Sequence, residues 1–188
     1  MEALNLDYAK TALVLIDLQK GIVGLSPKGP EIVANAAKLV ERFRARNGFV
    51  SFVKVDFLDG KEALKPATDQ EPRSGAYPEG WAEFAPELEV GPRDHVVTKR
   101  QWGAFFGTDL DLQLRRRGIG TIVLLGISTN IGVETTAREA FQLGYDQVFI
   151  TDAMAAMSEE EHDATCRFIF PRIGKLRTTE AFLDGIGS

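Results

Sequence analysis

Residues 121–144 read TIVLLGISTNIGVETTAREAFQLG, and this stretch decides the fold. Its opening run, Thr121-Ile122-Val123-Leu124-Leu125, is apolar almost throughout, as a strand covered on both faces should be. From Val133 the period changes. Val133, Ala137, Ala140 and Phe141 recur at helical spacing, and Gly144 supplies a C-terminal stop. Between strand and helix lies the turn Gly126–Gly132. The N–H groups at such a helix start, together with the helix dipole, favour an anion or a developing oxyanion. This is the geometry of a nucleophile elbow, yet no nucleophile sits at it. Ser128 and Thr129 have no adjacent histidine to activate them.

The same alternation extends in both directions. Thr11–Ile16 is a second buried strand. Pro30 opens a helix carried by Ile32, Val33, Ala36, Leu39, Val40 and Phe43 and closed at Asn47-Gly48, and Phe49–Val55 is the next strand. His95–Thr98 is a short strand. Thr108 is placed to N-cap a helix ending before Gly118, although Leu110, Leu112 and Leu114 alternate as a strand would. Gln147–Ile150 is a further strand, Ser158 with Glu161 forms a capping box for a helix that Pro171 stops, and Ile173–Arg177 can add a last strand. Strands alternating with helices predict one α/β domain over residues 1–188. Its architecture is a three-layer α/β/α sandwich with a Rossmann-like, mostly parallel sheet of about six strands. Residues 57–94, rich in Pro, Gly and charge, show no sustained period; a stretch that long is usually functional or lid-like.

Composition narrows the function. With 44% apolar and 26% charged residues, the 188-residue chain has the balance of a water-soluble domain. A net charge of −5 argues against nucleic acid, and no apolar run approaches the length of a membrane span. No signal peptide is visible, and a single cysteine, Cys166, fits a reducing cytoplasm. His95 and His162 are the only histidines, thin material for a metal site. The expected partner is a small molecule.

Sites in parallel α/β sheets lie beyond the carboxyl ends of the strands. Asp17 follows the first strand and Lys99 the third. A carboxylate after six buried residues is costly unless it is paired or used. The two can form an acid/base pair with coupled titration, or a structural ion pair, and the spacing leaves both readings open. Trp102, Phe105 and Phe106 can wall a pocket for a planar substrate or serve packing, and Trp81 can belong to a lid. Gln19 can contact ligand or cap its turn; Asn130 and Ile131, within the elbow, are further pocket candidates. His162 reads as a structural hydrogen-bonder, Asp152 as a loop cap, Arg115–Arg117 as cations answering a helix dipole, and Cys166 as a small core hydrophobe.

Three segments carry a family resemblance: VLIDLQKGIV around Asp17, VVTKRQWGAFFGTDL around Lys99, and LLGISTNIGVETTAREAFQLGY across the elbow. ITDAMAAMSEEEH fits as a fourth. The chain resembles the isochorismatase-like hydrolases, also called the cysteine hydrolase family, over nearly its whole length, and within them the YecD-type bacterial branch. The resemblance aligns Asp17, Lys99 and Gly132 with the Asp–Lys–Cys triad of the amide-cleaving members, so glycine replaces the nucleophile. It implies a cis peptide at Ile127–Ser128 and an oxyanion site from the N–H groups of Ser128 and Gly132. Asp56-Phe57-Leu58 stands where nicotinamidase-type members carry a metal-binding Asp-x-His segment, so no metal and no cofactor are expected. Isochorismatases proper also carry glycine at this place. By analogy Asp17 is the general acid of a non-covalent hydrolysis of vinyl-ether type, with Lys99 its partner. Their turn resembles YAHIG, however, whereas this chain reads STNIG, which leaves the substrate open. The alternatives are a ligand-binding homologue that has lost catalysis, and amide hydrolysis by direct water attack. The resemblance further implies a homo-oligomer, a dimer or a tetramer.

Overall fold

The computed structural model describes residue 4, residues 6–70 and residues 77–185. Six strands, β1 (Thr11–Ile16), β2 (Phe49–Val55), β3 (His95–Lys99), β4 (Thr121–Ile127), β5 (Asp146–Ala155) and β6 (Lys175–Arg177), form one sheet in the order β3-β2-β1-β4-β5-β6. Every pairing is parallel. Six helices accompany them: α1 (Lys20–Val23), α2 (Gly29–Ala45), α3 (Leu110–Arg116), α4 (Glu134–Gln142), α5 (Glu159–Phe168) and α6 (Thr179–Gly185). The strand order reverses direction at β1/β4, and in an open parallel sheet the crevice at that reversal is where ligands bind. No helix among the described residues is long and apolar enough to cross a membrane.

Burial explains the patterning. All six residues of β1 are buried, as are six of the seven in β4, so these central strands carry uninterrupted apolar runs. α2 buries Ile32, Val33, Ala36, Leu39, Val40 and Phe43, with Pro30 in its first turn, where a missing N–H costs nothing. The leucine alternation in α3 resolves as a helix. Leu110 and Leu114, one turn apart, are buried, and Leu112 is exposed. Its boundary lies one residue later than expected: Asp109 holds the cap position, while the Thr108 hydroxyl accepts from the Leu110 amide at 3.2 Å. The capping box of α5 is present in both directions.

Two features exceed the sequence reading. β5 continues past Ile150 to Ala155, through the polar pair Thr151-Asp152. That pair is tolerated because Asp152 Oδ1 accepts from the backbone N–H and the hydroxyl of Thr179, at 2.7 and 2.9 Å, at the start of α6. α6 itself was not anticipated. Asp152 is thus the cap of a following element, as its expected loop-capping role required. The segment 57–94 holds one short turn of 3-10 helix, Pro86–Leu88, and its residues 71–76 lie outside the described part. Its later portion docks beside the end of β1: the Lys20 amide bonds Glu83 O at 2.8 Å, the Ala85 amide bonds Leu18 O at 3.0 Å, and Gln19 bridges Phe84.

Candidate active site

The chain leaves β1 at Asp17 in a left-handed conformation, with φ 52°, held by its amide donating to Val53 O at 2.9 Å. A non-glycine residue in that region is uncommon, and here it turns the carboxylate across the edge of the sheet. Lys99 ends β3, two strands away, and its ammonium reaches Asp17 Oδ2 at 2.8 Å. Both side chains are nearly closed to water, at 8% and 2% exposure. Lys99 Nζ also donates to Trp102 O at 2.6 Å. Asp17 Oδ1 is buried with no hydrogen-bond partner. Burial pushes the Asp17 carboxyl up to about 6, against the opposing pull of Lys99.

The third member of the group is a space. A Cβ built on Gly132 would lie 3.1 Å from Asp17 Oδ2 and 3.2 Å from Lys99 Nζ. Gly132 is therefore packed directly against the pair, and the lack of a side chain lets carboxylate and ammonium close over it. Two further devices set this turn. Gly126, at φ 132°, comes so near β1 that a Cβ would lie 2.1 Å from Ile16 O, so only glycine fits. The peptide between Ile127 and Ser128 is cis, as the resemblance implied. Residues Thr129–Val133 then form one π-helical turn leading into α4, with the amides of Ile131 and Val133 both donating to Ser128 O at 3.2 Å.

The reading that no histidine attends the elbow is corrected by the fold. α5 carries His162 to Thr129, Nδ1 to Oγ1 2.8 Å apart. Because Thr129 is fully buried and burial holds the imidazole below its ordinary pKa, this contact anchors the turn rather than activating an accessible hydroxyl. The other imidazole nitrogen lies 3.6 Å from Cys166 Sγ, and burial pushes that thiol up to about 11, leaving it protonated and unreactive. Cys166 is partly rather than fully buried.

The remaining pocket candidates separate. Gln19 is wholly buried, and its amide is exchanged with Val55: Nε2 donates to O at 2.9 Å and Oε1 accepts from N at 2.8 Å. Its side chain ties the turn after β1 to the end of β2 and is closed to solvent. Phe105 is also withdrawn, 7% exposed and packed against Tyr145 with ring centroids 5.7 Å apart. Trp102 contributes its carbonyl to Lys99, while the residue as a whole is 64% exposed. Trp81 stacks on Tyr77 at 4.0 Å, within a cluster that includes Phe57, and its backbone carbonyl receives the Gly21 amide at 3.1 Å. Asn130 and Ile131 lie in the π-turn, and Asn130 Oδ1, like Asp17 Oδ1, is buried without a partner.

Sequence reasoning missed Thr136. Fully buried one turn after Gly132, it donates to Gly132 O at 2.7 Å and accepts from the Ala104 amide at 3.1 Å. It thereby ties the elbow to the loop whose Trp102 carbonyl holds Lys99. The i, i+4 spacing from Gly132 was the available signal, since a helical threonine commonly bonds the carbonyl four residues back. Asp56 Oδ2 is taken by Lys54 Nζ at 2.9 Å, and no cluster of three potential ligand side chains occurs among the described residues.

Known proteins share this sequence and fold. The Isochorismatase domain model matches residues 11–181. The isochorismatase family protein YwoC of Bacillus subtilis is 67% identical over 99% of both chains, and YecD of Escherichia coli O157:H7 is 47% identical over 97% of this chain and 100% of its own. The ureidoacrylate amidohydrolase RutB of Acinetobacter baylyi is 29% identical, over 97% and 86%. Among solved structures, an isochorismatase family protein from Burkholderia thailandensis superposes with a TM-score of 0.93 at 46% identity, covering both chains completely. A buried aspartate–lysine pair at the edge of a parallel sheet, closed over a glycine, thus sits in a chain that belongs to the isochorismatase family of hydrolases.

Proposed function

We propose that this hydrolase acts on a small carboxylated or carbonyl-bearing metabolite by non-covalent acid/base chemistry, with Asp17 as the acid and base and Lys99 as its partner. The observation that carries the reading is the Asp17–Lys99 pair closed over Gly132, where a covalent mechanism would need a nucleophilic side chain. An acid with a pKa of about 6 holds a useful protonated fraction near neutrality, which an ordinary aspartate does not. On a vinyl ether of isochorismate type, Asp17 gives its proton to the methylene carbon and an oxocarbenium ion forms. Water adds to that ion and gives one proton back to the Asp17 carboxylate. The hemiketal then breaks its bond to the departing alcohol oxygen, the hemiketal hydroxyl proton passes to that oxygen, and a carbonyl product remains. Lys99 holds the anionic form of Asp17 between the two proton transfers, and the N–H groups of Ser128 and Gly132 receive a carbonyl or carboxylate oxygen.

The experiment is turnover of isochorismate-type vinyl ethers by the native protein and by Asp17→Asn. A loss of at least about a hundredfold is expected for a general acid; equal rates would remove the role assigned to Asp17. Gly132→Cys tests the placement of the site independently, because a thiol beside Lys99 Nζ should be an unusually fast thiolate. A folded variant with ordinary thiol reactivity would displace the site from the elbow.

Amide hydrolysis by direct water attack is the second reading. Its support is the amidohydrolase RutB among the relatives, together with the unpartnered Asp17 Oδ1, an acceptor suited to a water or amide hydrogen. Turnover of small ureido or carboxamide acids with vinyl ethers untouched would establish it. Saturable binding without turnover of either bond type would leave the chain a binding homologue.

A further inference from the structure

A cavity of about 720 Å³ opens at the amino-terminal edge of the sheet, the end opposite Asp17, Lys99 and Gly132, none of which lines it. Its walls come from Tyr8 before β1, from Phe49 at the start of β2, from the segment that precedes β3, and from the end of α3. Three arginines reach it, Arg44, Arg93 and Arg117, against one carboxylate, Asp94. In a chain of net charge −5, such a local excess of cations is uncommon enough to ask what it meets.

The three arginines are not equivalent. Arg44 is spent: it pairs with Asp94 and donates to the carbonyls of Leu88 and Glu89, so it and the one carboxylate cancel. Arg117 lies with its guanidinium carbon 4.3 Å from the centroid of the Phe49 ring, and its Nη1 bonds the carbonyl and side chain of Gln113. Stacking on a ring fixes the guanidinium plane and leaves N–H groups on its edge for a further acceptor. Arg93, exposed, has no hydrogen bond or ion pair among the described residues. After the Arg44–Asp94 cancellation, two positive charges face one cavity without an anion between them.

We infer that this cavity is a second ligand site, separate from the hydrolytic one, which takes a small polyanion bearing phosphate or carboxylate groups between Arg93 and Arg117. Guanidinium groups match both chemistries through paired N–H donors, and the open volume admits a metabolite-sized molecule. A single anionic group is too weakly held by two solvent-facing cations; two or more per ligand are needed to gain from both at once.

Calorimetric titration of the full chain with inorganic pyrophosphate and, separately, with citrate tests this and separates phosphate from carboxylate preference. Saturable one-to-one binding that weakens with added salt is expected for at least one probe. Arg93→Ala and Arg117→Gln should each weaken it by about fivefold or more, while Lys54→Met, which removes a cation from the other edge, should leave it unchanged. Arg93 has no partner among the described residues to lose, so unchanged thermal melting of its variant keeps the comparison interpretable. Absence of saturable binding by either probe up to about 10 mM would overturn the proposal, as would binding that survives both arginine changes or disappears with Lys54→Met.

Discussion

Two lysine–aspartate pairs stand side by side at the carboxyl edge of the sheet. Lys99 and Asp17 meet at 2.8 Å; Lys54 and Asp56, on the strand between them, meet at 2.9 Å. Their contact distances are the same within a tenth of an ångström, yet their acids move in opposite directions. The hydrogen bond from Lys54 holds the Asp56 carboxyl below its usual range, whereas burial drives Asp17 up to about 6. The difference lies in water. Lys54 and Asp56 keep 26% and 33% of their side-chain surface, and Lys99 and Asp17 keep 2% and 8%. Near solvent, the partner's hydrogen bond outweighs the small cost of burial and the acid stays ionised to lower pH. Without solvent, the cost of holding charge exceeds the partner's help, and the acid keeps its proton to a higher pH. The proposed active site is built from the second arrangement.

The largest effect expected from breaking this contrast belongs to Lys99→Met. Removing one member of a buried pair leaves an uncompensated charge, which costs about 3–5 kcal/mol. Asp17 can escape by protonating, so the loss measured by chemical denaturation should be greatest at pH 8 and smaller at pH 5. A loss below about 1 kcal/mol at pH 8 would mean that water screens this pair as it screens Lys54–Asp56.

A pH series sharpens the same contrast through the sign of each shift. The Asp17 pKa is raised from 3.8 to about 6 on folding, so the native state holds this proton more firmly than the unfolded chain does. Its contribution is fully present below pH 3.8 and is lost as the pH rises through 6, an amount of about 3 kcal/mol at roughly 1.4 per unit. Native protein should therefore lose ground against Asp17→Asn between pH 4 and pH 7 in parallel denaturation curves. Asp56, with a lowered pKa, has the opposite sign: its contribution is present above 3.8 and is lost as the pH falls through its folded value. If the gap between native protein and Asp17→Asn stays constant with pH, Asp17 is not the desolvated acid described here.

How far this site can be read from sequence follows from which forces are local. The apolar runs of β1 and β4 and the helical period of α2 announce the sheet and its carboxyl edge, and a carboxylate directly after six buried residues announces Asp17. Lys99 was found the same way. The pairing of these two with Gly132 rested on the family resemblance, because spacing alone admits a structural ion pair. What stayed hidden was non-local. His162 meets Thr129 across 33 residues, and Asp152 meets Thr179 across 27, so no window of sequence contains both partners. β5 was cut short for the same reason, since its polar Thr151-Asp152 makes sense only once α6 is in place. Gln19 and Phe105 have side chains suited to a pocket, and only packing shows that each is already engaged.

Thr136 offers a change of intermediate size. It connects Gly132 O to the Ala104 amide, and Ala104 belongs to the loop whose Trp102 carbonyl fixes Lys99. Thr136→Val keeps the shape and strands the buried Ala104 N–H, at a cost of about 1–3 kcal/mol. Thr136→Ser retains the hydroxyl and should recover most of that. Loosening the loop also frees Lys99, bringing its behaviour nearer to that of Lys54. The signature beyond stability is a further rise of the Asp17 pKa in Thr136→Val, followed by the carboxyl resonance in a pH titration. Identical titrations in native and Val proteins would show that Lys99 is positioned without this tether.

The smallest effect, and the control on which the contrast depends, is Lys54→Met. An ion pair a quarter to a third exposed contributes less than about 1 kcal/mol, because water supplies most of what the partner would. Denaturation at pH 8 should place this variant within that distance of the native protein, and the Asp56 pKa should move up toward the ordinary carboxylate value. The Asp17 pKa should move little, since Lys54 is absent from the influences that set it. A loss comparable to that of Lys99→Met would instead make the two pairs one coupled network across β1, β2 and β3. The acid at Asp17 would then be tuned by the whole sheet edge rather than by its own burial.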